Sequence, residues 1–179
     1  MIAPLSLAPG VTLLLVALCS SCSDVEHPVI TLSPTEETRD LVEDAAAQWT
    51  AATGIELRVG EGGIPIKAAP RALDDEGREA CATTEIVREF GTHRFRSIKE
   101  LVIARTPPRG CPNWETGRAT LHELGHILCN WHVDGWPANA CHSDAGLMAA
   151  VVNATNYPDA RSLETVCTYA ACTRMEAAE

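Results

Sequence analysis

The chain has 179 residues, and 46% of them are apolar, which is enough to form the core of one domain. Its 14 basic and 24 acidic residues give a formal net charge of −10, and no Lys or Arg precedes Arg39. Such a chain has few cations with which to neutralise phosphates, so the composition argues against a nucleic-acid binder. No apolar stretch outside the extreme N-terminus is long enough to span a bilayer, which excludes a multi-span membrane protein.

The N-terminus has the pattern of an export signal. Residues 2 to 23 carry no charged side chain, and the leucine-rich stretch 11–18 has the length of a signal-peptide apolar region. We therefore expect residues 1–22 to be a signal peptide, with a buried N-terminal strand as the alternative. The segment Leu18-Cys-Ser-Ser-Cys22 looks like a bacterial lipoprotein processing site. A lipid anchor at Cys22 and free secretion both remain open, and either places the protein at the cell surface, in the periplasm or outside the cell.

Six cysteines follow the signal segment, an even number that predicts up to three disulfides in an exported chain. They are Cys81, Cys111, Cys129, Cys141, Cys167 and Cys172. Short separations favour pairing Cys129 with Cys141 and Cys167 with Cys172. Residues five apart on a helix point in different directions, so the second pair requires the helix to end or bend between its cysteines.

Periodic patterns predict the first elements of the domain. Residues 23–32 show no helical period and are expected to form a tether or an edge strand. Ser33-Pro34-Thr35-Glu36 has the pattern of a capping box with proline at the first helical position, and apolar residues then recur at helical spacing until Gly54. Ile55 to Val59 alternates apolar and charged residues, as a half-buried strand does.

The rest of the chain predicts an α+β domain over residues 33–179. Gly, Pro and Ala dominate residues 60–75, so this segment is expected to be a loop. The remaining predicted elements are strands at 84–88 and 100–105, helices at 116–129 and 162–175, and a mostly looped segment between those two helices at 130–159.

The predicted second helix carries His122-Glu123-Leu124-Gly125-His126. Histidines four residues apart lie one turn apart on the same helix face, so their nitrogens can converge on one metal ion. Such a site is suited to Zn²⁺. Glu123 is rotated away from the line of ligands and can hold a water molecule beside the ion. His132 lies ten residues after His122, and a chain reversal would make it the third ligand and leave a fourth position open.

The string from His122 to His132 resembles the zinc-binding signature of the metzincin metallopeptidases. In that family a methionine-containing turn follows and lies beneath the ligands, and Met148 is 16 residues after His132. The order of predicted elements also resembles a small metzincin catalytic domain, and the Leu-Met turn is most similar to that of the matrixins. The resemblance implies a twisted mixed sheet with an early helix, a zinc-binding helix and a C-terminal helix.

Three features depart from the family pattern. One is that Ala150 and Val152 stand where matrixins have a proline and a tyrosine after the methionine. Where metzincins have a glycine three residues before the third histidine, this chain has Cys129, followed by Asn130, a residue that tolerates the left-handed backbone needed for a reversal. The segment around Cys111 is similar to a permuted matrixin cysteine switch, but a structural disulfide is the expected fate of Cys111 because the chain is expected to be exported.

Other metal arrangements can be written for this sequence. Glu164 could be the third ligand, as in gluzincins, although its place near the start of a helix is explained by the helix dipole. A separate closed zinc site could be built from two cysteines and two histidines, but it would leave His122 and His126 without a third ligand. The residues of that second alternative are Cys129, His132, Cys141 and His142.

The sequence thus predicts an exported, monomeric zinc endopeptidase that acts on protein or peptide substrates. We expect His122, His126 and His132 to bind Zn²⁺, which polarises the scissile carbonyl and lowers the pKa of its water. Glu123 is the expected general base and then general acid, and Met148 is expected to be a floor rather than a ligand. The alternative from another class is a metzincin-like surface binding module that does not turn over peptides.

Overall fold

The structure is a computed structural model, and it describes residues 29–88, 95–131, 141–142, 147–148, 157–170 and 172. The signal segment and the possible anchor Cys22 lie outside the described residues. No helix within the described ranges is both long enough and apolar enough to cross a bilayer.

A five-stranded mixed sheet forms the centre of the fold. Its strands are β1 (Ile30–Pro34), β2 (Leu57–Val59), β3 (Ile64–Ala69), β6 (Ala82–Arg88) and β7 (Phe95–Ala104), in the order β2-β1-β3-β7-β6. All neighbouring pairs are parallel except β6 with β7, which makes β6 an antiparallel edge strand. A separate small hairpin consists of β4 (Ala72–Leu73) and β5 (Glu79–Ala80).

In the described part of the chain, three α-helices accompany the sheet: α1 (Arg39–Thr53), α2 (Arg118–Trp131) and α3 (Ala160–Tyr169). Helix α1 buries Ala45, Trp49 and Ala52 of the predicted apolar stripe, whereas the predicted Leu41 is only half-buried. The helix ends at Gly54, whose φ of 74° is readily adopted by glycine. Helix α2 contacts α1, α3, β6 and β7. The described part of the chain is therefore a mixed α/β fold, compatible with the predicted α+β class.

The start of the first helix differs from the prediction. Ser33 and Pro34 end strand β1, a 3₁₀ turn covers Glu36–Thr38, and α1 begins only at Arg39. The Ser33 hydroxyl donates to the carbonyl of Gly60 at 2.6 Å instead of capping a helix. The predicted capping box is therefore wrong, because the Ser33 hydroxyl bonds to Gly60, the residue that follows strand β2.

Two other predictions about the sheet need correction. Residues 60–75 are not a loop throughout, since they contain strands β3 and β4. Strand β1 lies inside the sheet between β2 and β3, so the residues from Ile30 onward form neither a tether nor an edge strand. Ile30 and Leu32 are 0% exposed, which places this strand in the hydrophobic core.

The six cysteines that follow the signal segment lie in three pairs at disulfide distance. The two predicted pairs are found, with Cα atoms 6.2 Å apart for Cys129 and Cys141 and 5.3 Å apart for Cys167 and Cys172. Helix α3 ends at Tyr169, between the cysteines of the second pair, as their bonding requires. The third pair is Cys81 with Cys111, so Cys111 has the structural role expected for it.

Candidate metal centre

Helix α2 crosses the interior of the molecule. Every residue from Ala119 to Cys129 is buried, so the helix has no solvated face in this stretch. Such helices are normally apolar all round, yet this one buries His122, Glu123 and His126, which are only 4%, 7% and 8% exposed. Burying ionisable side chains is costly unless they are paired or hold a ligand, so these residues make this part of the helix a candidate site.

Three imidazoles converge at this point. The Nε2 atoms of His122 and His126 lie 3.1 Å apart, and the partly buried His142 stacks on His122 with ring centroids 5.5 Å apart. The nitrogens that could act as ligands in the three rings all lie within 4.8 Å of one another. Two ligands of a tetrahedral zinc ion are separated by about 3.3 Å, so the spacing of His122 and His126 suits one shared ion. The group could therefore hold a metal ion.

The ring of His122 is oriented by a backbone carbonyl. Its Nδ1 lies 2.7 Å from the Leu147 carbonyl oxygen, which can only accept a hydrogen bond, so Nδ1 carries the proton. The lone pair of the neutral ring is then on Nε2, the atom that faces His126. Histidines that bind metals are commonly fixed by such a bond on the second nitrogen, so His122 is prepared to act as a ligand.

Burial favours the neutral form of the three rings. Desolvation lowers the pKa of His122 against a weaker opposing effect of its bond to Leu147. Desolvation, followed by the proximity of the other two rings, takes the pKa of His126 well below its usual value, and burial and His122 lower the pKa of His142. Only neutral imidazoles bind metals, so protons compete weakly with an ion at this group.

Glu123 follows His122 on the same helix, and its burial shifts the pKa of its carboxyl group. Desolvation raises the pKa of its carboxyl to about 7, although a hydrogen bond from Thr84 opposes this shift. The Thr84 hydroxyl donates to Glu123 Oε2 at 2.6 Å. A carboxyl group that titrates near neutral pH can both accept and return a proton there, which suits acid–base catalysis.

Met148 lies directly against the helix turn between the two histidines. It is 0% exposed, and a Cβ placed on Gly125 would overlap its sulfur atom and lie 2.9 Å from Trp49 Cζ2. The absence of a side chain at Gly125 thus allows Met148 and Trp49 to pack on α2. The contact places Met148 against α2 at Gly125, and its role as a floor beneath the ligands stays a prediction.

The beginning of helix α3 holds the Leu147–Met148 segment in place. The Leu147 amide donates to Asp159 Oδ2 at 2.8 Å, and the Met148 amide donates to Ser162 Oγ at 3.0 Å. The same aspartate caps α3 by accepting from the Ser162 amide. One cap residue therefore links α3 to the segment whose carbonyl orients His122.

The predicted site residues have different outcomes. His122, Glu123 and His126 lie together as expected, whereas His132 lies outside the described residues. The closed zinc site is wrong, because Cys129 and Cys141 are paired with each other. Glu164 is exposed on α3, apart from the group of three histidines.

Three contributors were not assigned to this site from the sequence: His142, Thr84 and Asp159. A signal for His142 was available, since it follows Cys141, whose predicted pairing with Cys129 brings it to the end of helix α2. Thr84 and Asp159 act through contacts between distant segments and have no comparable local signal.

A comparison with models of known protein families and with curated proteins finds no match for this chain.

Proposed function

We propose that this protein is an exported zinc-dependent endopeptidase of metzincin type. The observation that carries the proposal is the convergence of His122, His126 and a third imidazole next to a buried glutamate whose pKa is about 7. Sites of three histidines leave one zinc position open and are typical of catalysis rather than of structural support. The order of elements, from the early helix through the metal-binding helix to the closing helix, supports the assignment to metzincins.

Two histidines are candidates for the third ligand. His142 is supported by its contact with His122 and His126, and His132 by the spacing of the signature. Replacing each by alanine and measuring zinc affinity decides between them. Removal of the true ligand should lower the zinc affinity about 100-fold or more, and removal of the other histidine should change it little. If both variants lose zinc affinity equally, four imidazoles bind the ion and leave no position open for water. That result would contradict the hydrolytic proposal.

When bound, a zinc ion supplies Lewis-acid polarisation of the peptide carbonyl and acidifies a water molecule. Glu123 accepts a proton from that water as its oxygen bonds to the carbonyl carbon. The C–N bond then breaks, and Glu123 returns the proton to the departing amine nitrogen. The products are a carboxylic acid and an amine, and Glu123 is left in its original state.

Cleavage of casein or a peptide library by the zinc-loaded chain tests this function, with a chelator to remove the metal. Glu123→Gln should retain zinc and lower kcat by at least about 100-fold, because the amide cannot accept the proton. Glu164→Gln is the matched control, since this exposed glutamate should be dispensable. Zinc binding without any cleavage would instead favour the binding module, and full activity in Glu123→Gln would contradict the assigned base.

Export is the second part of the proposal. Three cysteine pairs at disulfide distance support an oxidising compartment, and residues 1–22 would supply the signal. Labelling with a lipid precursor in a bacterial host, for the chain and for Cys22→Ala, distinguishes an anchored protein from a freely secreted one. Label that depends on Cys22 supports the anchor, and unlabelled protein in the medium supports free secretion.

A further inference from the structure

Thr84 makes a contact that strand formation does not require. Its hydroxyl donates to Glu123 Oε2 at 2.6 Å, across 39 residues of sequence. Among the residues that the structure describes, Thr84 is the hydrogen-bond partner of this carboxylate. A β-branched side chain suits a strand whether or not it has a hydroxyl, so the hydroxyl must be explained by Glu123 rather than by strand β6.

The sheet holds Thr84 firmly in position. Thr84 pairs with the fully buried Leu101 of β7, within a regular run of partners that begins at Ala82. The first irregularity in the pairing falls between Glu85 and Ile86, just beyond this run. Side chains alternate along a strand, so Thr84 shares the face of Ala82, and helix α2 contacts this strand.

We infer that Thr84 is a positioning residue for the general base Glu123. The hydrogen bond fixes Oε2 of the carboxylate against the sheet, which leaves Oε1 to accept the proton from water. A carboxylate held in one rotamer reacts more efficiently than one that must find its orientation at each turnover. This inference rests on the proposed function, because it assigns Thr84 a role in the same reaction.

A purely structural role would make a different prediction. Buried carboxylates are usually hydrogen-bonded, so Thr84 could serve only to stabilise the fold. Loss of its hydroxyl would then lower the melting temperature and leave catalysis by the folded protein unchanged. A positioning role requires kcat to fall while KM and zinc content stay constant.

The experiment compares Thr84→Val, Thr84→Ser and Thr83→Val. Valine has nearly the shape of threonine without its hydroxyl, serine keeps the hydroxyl, and Thr83 is the matched control because it points to the opposite face of the same strand. In the zinc-loaded protein we expect Thr84→Val to lower kcat about tenfold at unchanged KM, Thr84→Ser to restore it, and Thr83→Val to have no effect.

A second readout does not depend on turnover. Acetohydroxamate binding to the cobalt-loaded protein, followed by the visible absorption of the cobalt, reports on the orientation of Glu123, because the carboxylate can accept the hydroxamate proton. Thr84→Val should weaken this binding about tenfold, and Thr84→Ser should not. The effect should disappear in a Glu123→Gln background, where the two substitutions act on one interaction.

The outcomes separate the inference from the function. Equal hydroxamate affinity in Thr84→Val and Thr83→Val would overturn the role of Thr84, whatever the protein cleaves. A selective loss in Thr84→Val together with no cleavage by the wild-type chain would support the positioning role and overturn the peptidase. A kcat that falls in Thr84→Val but is not restored in Thr84→Ser would also overturn the positioning role of Thr84.

Discussion

The region between α1 and the sheet and the middle of α2 are buried to the same extent but differ in chemistry. Ile30, Val42 and Trp49 in the first region are 0% exposed and apolar, and the indole nitrogen of Trp49 donates to the Leu121 carbonyl at 2.7 Å. In the second region, His122, Glu123 and His126 are at least nine-tenths buried. The hydrophobic effect explains the first region, whereas desolvation of the ionisable groups opposes burial in the second.

This difference separates the residues that stabilise the fold from those of the candidate metal centre. Apolar burial contributes free energy on its own, whereas burial of ionisable groups shifts their pKa values and costs stability. Perturbed groups of this kind collect at functional sites. The two regions should therefore respond differently to substitution, with stability changing in one and metal binding in the other.

The largest effect on stability is expected in the apolar region. Ile30→Ala removes a fully buried side chain from the inner strand β1, and it should lower the free energy of unfolding by about 2–5 kcal/mol. Zinc affinity of the protein that remains folded should not change. Denaturant unfolding and calorimetry measure the two quantities, and a parallel loss of zinc affinity would show that the two regions are not independent.

Gly125→Ala should affect both quantities, because Gly125 lies where the regions meet. Alanine normally stabilises a helix by about 1 kcal/mol relative to glycine, but here its Cβ would overlap Met148 and approach Trp49. We expect a net loss of about 1–3 kcal/mol in the free energy of unfolding, with zinc affinity reduced about tenfold.

Gly60→Ala is the matched control for that substitution. A Cβ at Gly60 would meet Thr31 Cγ2 at 3.4 Å, which is an ordinary contact, so stability should change little. If Gly125→Ala were as stable as Gly60→Ala, the close packing of Met148 on α2 would be contradicted.

Asp159→Asn should affect metal binding more than stability. Asparagine is as good a helix cap as aspartate, but an amide in place of Oδ2 cannot accept from the Leu147 amide as the carboxylate does. The segment that orients His122 is then released, and zinc affinity should fall about tenfold. Calorimetry with Glu164→Gln as the control checks this, and unchanged affinity would remove Asp159 from the site.

The smallest effect concerns pH. Three histidines with ordinary pKa values near 6.5 would lose about sixfold in zinc affinity between pH 7.5 and 6.5, as protons occupy the ligands. Because burial lowers the pKa of His122, His126 and His142, protonation begins at lower pH, and the loss expected in that interval is smaller than about sixfold.

The pH titration is best made in Glu123→Gln. The pKa of Glu123 is about 7, so in the wild-type chain its carboxylate gains a proton over the same interval and weakens cation binding for a separate reason. A sixfold loss in the variant would show that the rings titrate as exposed histidines do.

Local patterns were sufficient for much of the fold. The helical spacing of Leu41, Ala45 and Trp49 predicts the body of α1 correctly, and Gly54 predicts its end. Strand β3 was missed because it is a parallel strand of six residues that includes a proline and two alanines, so it lacks a strong local signal. Its pairing with β1 and β7 comes from distant segments.

The same distinction applies to the candidate site. His122, Glu123 and His126 were predictable because a single helix turn determines their spacing. Thr84 and Asp159 reach the site through a strand and a helix cap that are far away in sequence, and no spacing rule links them to α2. The role of His142 depends on a disulfide between two chain segments, which the sequence could suggest only as one pairing among several.

Zinc titration of the purified metal-free chain tests the central claim most directly. Calorimetry should show one ion bound per chain, and His126→Ala should abolish this binding while the protein remains folded by circular dichroism. A chain that binds no zinc, or a His126→Ala variant that binds it as tightly as wild type, would contradict the metal centre.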